Sequence, residues 1–137
     1  MRPDELAVPP RLAQELDRIG LEFLAGVLEI EVRRRPQNDA AWTDLGHVLT
    51  RLGRNGRALE VDREIVRRMP DDETAHYNLA CSLALVGEVD AAFAELERAV
   101  ELGYADAEHA AADQDLAPLR DDERFAGFLA RLRERAE

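Results

Sequence analysis

The fold is decided by two stretches of similar sequence, residues 38–70 (NDAAWTDLGHVLTRLGRNGRALEVDREIVRRMP) and residues 72–104 (DETAHYNLACSLALVGEVDAAFAELERAVELGY). Shifting the first stretch by 34 positions places its landmarks on equivalent residues of the second. The matched pairs are Trp42 and His76, Leu45 and Leu79, Gly46 and Ala80, Leu49 and Leu83, Gly53 and Gly87, and Ala58 and Ala92. A repeat of this length is typical of a solenoid built from helix–turn–helix units.

Composition supports one helical domain. The chain has 137 residues, of which 46% are hydrophobic, 34% are charged and 5% are aromatic. This balance excludes a disordered tail, and the abundance of Ala and Leu favours helix. No run of alternating polar and apolar residues predicts a strand. We therefore expect an all-α fold.

The acidic charge is concentrated in one part of the chain. The formal net charge is −11, and residues 71–119 contain twelve acidic residues against the single basic residue Arg98. Such a field repels nucleic acid and anionic membranes and attracts basic partners. The alternative is that these acids form a solvated surface that keeps the protein in solution.

Location is predicted from what the sequence lacks. No apolar run is long enough to span a bilayer, and Met1–Glu5 is not followed by the apolar core of a secretory signal. The single Cys81 cannot form an internal disulfide. We expect a cytoplasmic protein.

The N-terminal part divides into a lead-in and an amphipathic segment. Prolines at positions 3, 9 and 10 predict an irregular lead-in over residues 1–10. Residues 11–36 predict one amphipathic helix, or two helices separated at Gly20. One apolar row consists of Leu12, Leu16, Ile19, Phe23, Val27 and Ile30, and a second consists of Leu21, Leu24 and Leu28. Such a wide stripe predicts cover on more than one side, and three roles stay open: covering the first repeat, pairing with a second subunit, or filling the groove.

Local signals place the helices of the two repeats, residues 37–70 and 71–104. Asn38 or Asp39 is expected to cap the first helix, and Asp71 or Asp72 the third. The glycines at positions 53 and 87 end these helices, and short turns then bring the second helix of each pair back antiparallel.

The two copies resemble tetratricopeptide (TPR) repeats. The first copy has Trp42, Leu45-Gly46, Ala58 and Pro70 at the pattern positions, whereas the second has His76 for Trp and Tyr104 for Pro. A third copy of the repeat would place Asp113 at a buried Leu position, so the repeat does not continue. Residues 105–137 are therefore expected to form a degenerate half-repeat and a capping helix. The segment from Asp113 to Phe125 resembles the ending of many bacterial TPR proteins, and the helix after it has one apolar stripe.

The resemblance implies a concave groove lined by the first helix of each repeat. The implied contact residues are Thr43, Asp44, His47, Arg51, Thr74, Tyr77, Asn78, Cys81 and Leu85. The Asn78 amide can both donate to and accept from a peptide backbone, and Tyr77, Ala84 and Leu85 offer apolar surface. Because the groove offers Arg51 but otherwise neutral or acidic groups, we expect a basic or amphipathic partner segment instead of a peptide carboxylate. The alternative is that these residues simply face solvent.

Candidate chemistry is sparse. The pairs Asp72 with His76 and His109 with Asp113 have helical spacing, but two ligands do not make a zinc site. We interpret His76 as a core histidine and Asp72 as a helix cap. A Cys81–His47 nucleophile would need contact and an activated thiolate. The sequence therefore predicts no metal, no cofactor and no catalysis.

The leading hypothesis is a small adaptor that recognises a protein or peptide segment in its groove. One alternative is a self-assembling structural unit, a possible homodimer formed through the N-terminal helix. An acidic TPR-type secretion chaperone is a special case of the leading hypothesis. Catalysis at Cys81 with His47 is the third hypothesis.

Overall fold

The computed structural model describes residues 7–136, and within this range the chain forms only helices and connecting turns. The α-helices are α1 (Pro10–Arg34), α2 (Asp39–Arg51), α3 (Asn55–Arg68), α4 (Glu73–Leu85), α5 (Val89–Leu102), α6 (Ala107–Ala112) and α7 (Glu123–Arg135), with a 3-10 helix over Gln114–Leu119. The prediction of an all-α helix–turn–helix solenoid is confirmed. Of the predicted lead-in, residues 7–9 precede the first helix, and residues 1–6 lie outside the described range.

Capping and glycine turns create the two antiparallel helix pairs. Asn38 and Asp72 each accept a hydrogen bond from the backbone N–H three positions later, at 3.1 and 2.8 Å. Gly53 and Gly87, in the turns after α2 and α4, have φ of +73° and +85°, which is the left-handed region that favours glycine. These turns let α3 pack against α2 and α5 against α4.

A tight contact joins the first pair. A Cβ added at Gly46 of α2 would lie 2.9 Å from Oδ1 of Asp62 and 3.6 Å from Cγ1 of Val61, both on α3. The absence of a side chain at Gly46 therefore lets α3 approach α2 closely. Ala80 occupies the equivalent position in the second pair and is fully buried.

The ring at the Trp position makes the same hydrogen bond in both repeats. Trp42 Nε1 donates to the carbonyl oxygen of Pro36 at 2.9 Å, and His76 Nε2 lies 2.7 Å from the carbonyl oxygen of Pro70. Because a carbonyl only accepts, His76 Nε2 carries a proton. Its Nδ1 lies 2.6 Å from Glu95 Oε2. This confirms His76 as a buried histidine with satisfied hydrogen bonds.

Helix α1 is continuous, so the suggested division at Gly20 is wrong. A glycine in a helix interior costs only about 1 kcal/mol relative to Ala, which packing along the helix can offset. Ala25, Leu28 and Val32 are buried against the first helix pair. The other apolar row of α1 is exposed.

The C-terminal part closes the solenoid as predicted. The side chains of Leu116, Leu119, Phe128 and Leu132 are fully buried, and Phe125 is nearly so. They join the core of α4 and α5 in one cluster. The remaining faces of α7 are exposed, which is the arrangement a terminal cap requires.

Candidate binding site between the two repeats

A cavity of about 460 Å³, here called the central pocket, lies between the two helix pairs. Its walls come from α2, α3, α4 and the segment from α6 into the 3-10 helix. The lining residues are Gly46, His47, Thr50, Arg51, Asp62, Tyr77, Asn78, Cys81, Ser82, His109, Asp113 and Asp115. Three carboxylates and one guanidinium therefore share the cavity.

Of the nine residues predicted to contact a partner, five line the central pocket. They are His47, Arg51, Tyr77, Asn78 and Cys81. Asp44 and Thr74 are exposed outside the cavity, whereas Thr43 and Leu85 are half-buried. Thr43 Oγ1 donates to the backbone carbonyl of Asp39 at 3.1 Å. Contact between any of these nine residues and a partner stays a prediction.

Asp62 is the deepest acidic group of the pocket. The residue is 5% exposed, its Oδ2 accepts a hydrogen bond from Ser82 Oγ, and its Oδ1 lies beside Gly46. Within residues 7–136 no protein group donates to Oδ1. Burial raises the pKa of this carboxyl to about 6, although the Ser82 hydrogen bond and nearby His47 oppose the rise.

A second acidic group, Asp113, organises the opposite wall. Its Oδ2 accepts a hydrogen bond from the Tyr77 hydroxyl at 2.7 Å and lies 3.7 Å from Cys81 Sγ. The ring of Tyr77 stacks on that of Tyr104, with centroids 4.3 Å apart. His109 Nε2 lies 3.5 Å from the same Asp113 oxygen.

Because of this network, side chains of the second repeat that were expected to be exposed in the groove are buried. Tyr77 and Cys81 line the pocket, but they are only 3% and 7% exposed, because the α6 segment covers them. The expectation that Ala84 offers surface to a partner is wrong, since it is almost completely buried. Asn78 is the half-buried polar side chain of α4 in the pocket.

The surroundings of Cys81 keep its thiol protonated and unreactive. Burial raises its pKa well above the ordinary value, and the charges of Asp113 and Asp115 raise it further. A nucleophilic cysteine requires a lowered pKa and a positive environment. His47 is an exposed residue of α2, and the hydrogen-bond partner of Sγ is Asp113. The arrangement therefore gives no support to catalysis at this residue.

The sequence reasoning missed Asp62, Ser82, Asp113 and Asp115 as pocket residues, although a signal for the first was present. Asp62 aligns with Leu96 under the 34-residue shift, and Leu96 is fully buried. A carboxylate at a core position of the repeat indicates a group retained for a reason other than packing.

Residues 7–136 contain neither a membrane-spanning helix nor a cluster of metal ligands. No helix in this range has the length and apolar character needed to cross a bilayer. No three His, Cys, Asp or Glu side chains in the same range are grouped to hold a metal ion.

Comparison with known proteins identifies the fold. No family model matches the chain. It is 31% identical over 100 residues to protein FlbA of Caulobacter vibrioides, a match that covers 72% of this chain and 17% of FlbA. The chain therefore corresponds to about a sixth of that relative's length.

Solved structures resemble most of the chain. MamA RS-1, as the ArsTM double mutant, has a TM-score of 0.70 at 19% identity, covering 85% of this chain and 66% of that one. MamA 41-end from Desulfovibrio magneticus RS-1 has a TM-score of 0.69 at 20% identity, covering 92% and 72%. MamA MSR-1 C2 has a TM-score of 0.67 at 17% identity, covering 85% and 68%. These likenesses show the architecture, a TPR-like all-helical solenoid.

Proposed function

We propose that the protein is a non-catalytic interaction module that holds a partner segment across the groove and takes one basic side chain of that segment into the central pocket. The observation that carries this proposal is Asp62. Its buried carboxylate opens into a cavity and has an oxygen that no described protein group occupies.

The chemistry of the pocket favours a cation. A buried carboxylate with an unpaired oxygen gains most from a charge-assisted hydrogen bond with Lys or Arg. Asp113 and Asp115 lie on the opposite wall, and burial together with the charge of Asp113 raises the pKa of Asp115. A bound cation would relieve this repulsion between carboxylates. An anionic side chain would increase it.

The mouth of the pocket supplies polar contacts for a backbone. Asn78 on α4 and Thr50 on α2 are half-buried at the cavity. An amide pairs with both N–H and C=O, which suits a segment of any sequence around the basic residue. The acidic field of residues 71–119 would also attract such a segment from a distance.

The test is selection of peptides from a random display library on immobilised protein. We expect the enriched peptides to share a Lys or Arg at one fixed position. The variant combining Asp62→Asn with Asp113→Asn keeps the size of both side chains and one acceptor oxygen of each, but it removes both charges. It should therefore lose the basic preference and most of the binding.

A matched control separates the pocket from general acidity. The variant combining Asp71→Asn with Asp121→Asn removes the same charge from two exposed residues outside the pocket, and its binding should stay within about threefold of the unaltered chain. Equal losses in the two double variants would assign the attraction to overall charge. Enriched peptides without a basic residue would refute the proposal.

A further inference from the structure

The large exposed apolar side chains are concentrated on one helix. Of the nine such residues in the described part of the chain, all but Val86 lie on α1 or immediately before it. They are Val8, Leu12, Leu16, Ile19, Phe23, Leu24, Val27 and Ile30. The most exposed are Phe23 at 74% and Ile19 at 64%. A contiguous apolar surface of this kind marks an interaction site.

This exposed row, here called the outer stripe (Leu12, Leu16, Ile19, Phe23, Val27 and Ile30), is not needed for folding α1 onto its own chain. At 100° per residue its mean direction differs by roughly 180° from that of Ala25, Leu28 and Val32, which pack on the first helix pair. A helix that is apolar on two opposite sides is normally covered on both.

Aligning α1 with α3 by the 34-residue period shows which part of the outer stripe corresponds to a helix-packing position. Val27 precedes Val61 by the 34-residue period. Val61 is fully buried, and it lies next to the position of Gly46 on α2. No helix of residues 7–136 covers Val27, which is 45% exposed. At Val27 the outer stripe therefore matches a helix-packing position of the repeat. Phe23 and Ile30 stand where the repeat has the charged residues Arg57 and Glu64, so their apolar character is particular to α1.

The exposed area of the outer stripe is at the lower end of what a stable dimer needs. At roughly 150–200 Å² for each large apolar side chain, the exposed fractions of its six residues amount to roughly 500–650 Å² per partner, so two copies would bury roughly 1,000–1,300 Å², which reaches the size of a specific interface.

The outer stripe is also complementary to itself. Phe23 projects from its middle, and Gly20, one turn earlier, leaves a notch in which an added Cβ would meet nothing within 4 Å. Two copies of α1 running parallel would place ring against ring and notch against notch. Two antiparallel copies place each Phe23 ring over the partner's notch, and pairing residue 20 with residue 23 overlaps almost the whole of α1, Pro10–Arg34.

We propose that this face of α1 binds a second copy of the chain, forming a two-fold antiparallel helix pair in which the Phe23 ring of each protomer fills the notch at the partner's Gly20. Such an interface is isologous and closes at two subunits. The pairing goes beyond groove binding, and none of the outer-stripe residues lines the central pocket.

Charge does not oppose this pairing. Glu15, Glu22 and Glu29 form an acidic row along one edge of the outer stripe, and an antiparallel partner would bring its own row close. Each acid is already paired with arginine in its own protomer. The strongest pair is Glu29 with Arg57, joined by two hydrogen bonds of 2.9 Å. The arginines therefore offset the negative charge of the acidic row where it would face the same row of the partner.

The experiment measures the oligomeric state of the full chain by sedimentation velocity over a range of protein concentrations. We expect a monomer–dimer equilibrium. Phe23→Gly and Gly20→Phe alone should each weaken dimerisation by about tenfold or more. The swap combining both substitutions has the same composition as the natural chain and again places a ring over a notch, so it should restore dimerisation.

Circular dichroism of each variant checks that the helix content is kept. A natural chain that stays monomeric at about 100 μM would overturn the proposal. Stronger association of Gly20→Phe would also overturn it, because that result indicates general apolar adhesion. Failure of the swap to recover would reject the ring-in-notch register. Peptide selection at the central pocket is a separate measurement, so either proposal can fail without the other.

Discussion

Replacing Asp62 with Asn should change stability in a manner that depends on pH. The carboxyl is 5% exposed, and burial raises its pKa to about 6 from an ordinary value of 3.8. Between these two pKa values the folded chain holds a proton that the unfolded chain has released. The free energy of unfolding of the natural protein therefore falls as pH rises through this window.

The magnitude follows from the two pKa values. Above pH 7 the ionised carboxylate destabilises the folded state by about 3 kcal/mol relative to a carboxyl group that stays protonated. Asn has nearly the same shape and no charge, so it escapes this penalty while its oxygen can still accept from Ser82. The stability of Asp62→Asn relative to the natural chain should increase by about 1 to 1.5 kcal/mol from pH 5 to pH 8.

The assay is urea unfolding of both proteins at a series of pH values. All other titrating groups are common to the two chains and cancel in the difference. Ser82→Ala removes the hydrogen bond that lowers the Asp62 pKa, so it should shift the window to higher pH. A stability difference that does not vary with pH would show that Asp62 ionises normally in the folded chain, and the argument from a buried carboxylate would fail.

Four other substitutions test the packing, each by urea unfolding. Gly46→Ala places a methyl group 2.9 Å from Asp62 Oδ1 and should destabilise by about 1–2 kcal/mol, whereas Gly127→Ala, a helical site with open space, should stabilise by up to about 1 kcal/mol; equal effects would contradict the close approach. His76→Phe removes both ring hydrogen bonds from a buried site and should cost about 2–4 kcal/mol, so a neutral result would mean those bonds contribute nothing. Tyr104→Phe removes a buried hydroxyl without a partner in the described residues and should be neutral or stabilising, whereas a loss above about 1 kcal/mol would reveal an overlooked partner.

The repeat predicted the helices of the two units closely because the signals that place them are local. Asn38 and Asp72 cap within their own turns, and Gly53 and Gly87 adopt the left-handed conformation that their positions require. None of these choices depends on residues far away in sequence. The interior of α1 was less certain, since a glycine weakens a helix without necessarily breaking it.

The central pocket was only half predicted because it depends on contacts between distant segments. The register of α2 and α4 gave His47, Arg51 and Asn78. It gave no information on the segment after residue 105, which no longer follows the repeat. That segment brings Asp113 to within 2.7 Å of the Tyr77 hydroxyl, 36 positions away, and so covers a side chain expected to face the groove.

Asp62 shows how a repeat can indicate a site by violating its own pattern. Where the second copy has Leu96, the first has a carboxylate that is costly to bury. Ser82, which donates a hydrogen bond to Asp62, is also polar where the other copy is apolar, since it aligns with Val48 of the first copy. Comparing the two copies position by position would therefore have selected both residues.

The outer stripe and the central pocket lie on different residues of the same small solenoid, and this separation has a consequence for assembly. If two copies pair through α1 while each keeps its pocket, the dimer presents two identical pockets that can bind two basic residues of one partner. Linking two weak sites raises the overall affinity by about 10² to 10⁴ when the partner spans both. A partner with a single basic segment gains nothing. Phe23→Gly and Gly20→Phe alone should therefore weaken the binding of tandem peptides, the swap should restore it, and all three variants should leave the binding of single peptides unchanged.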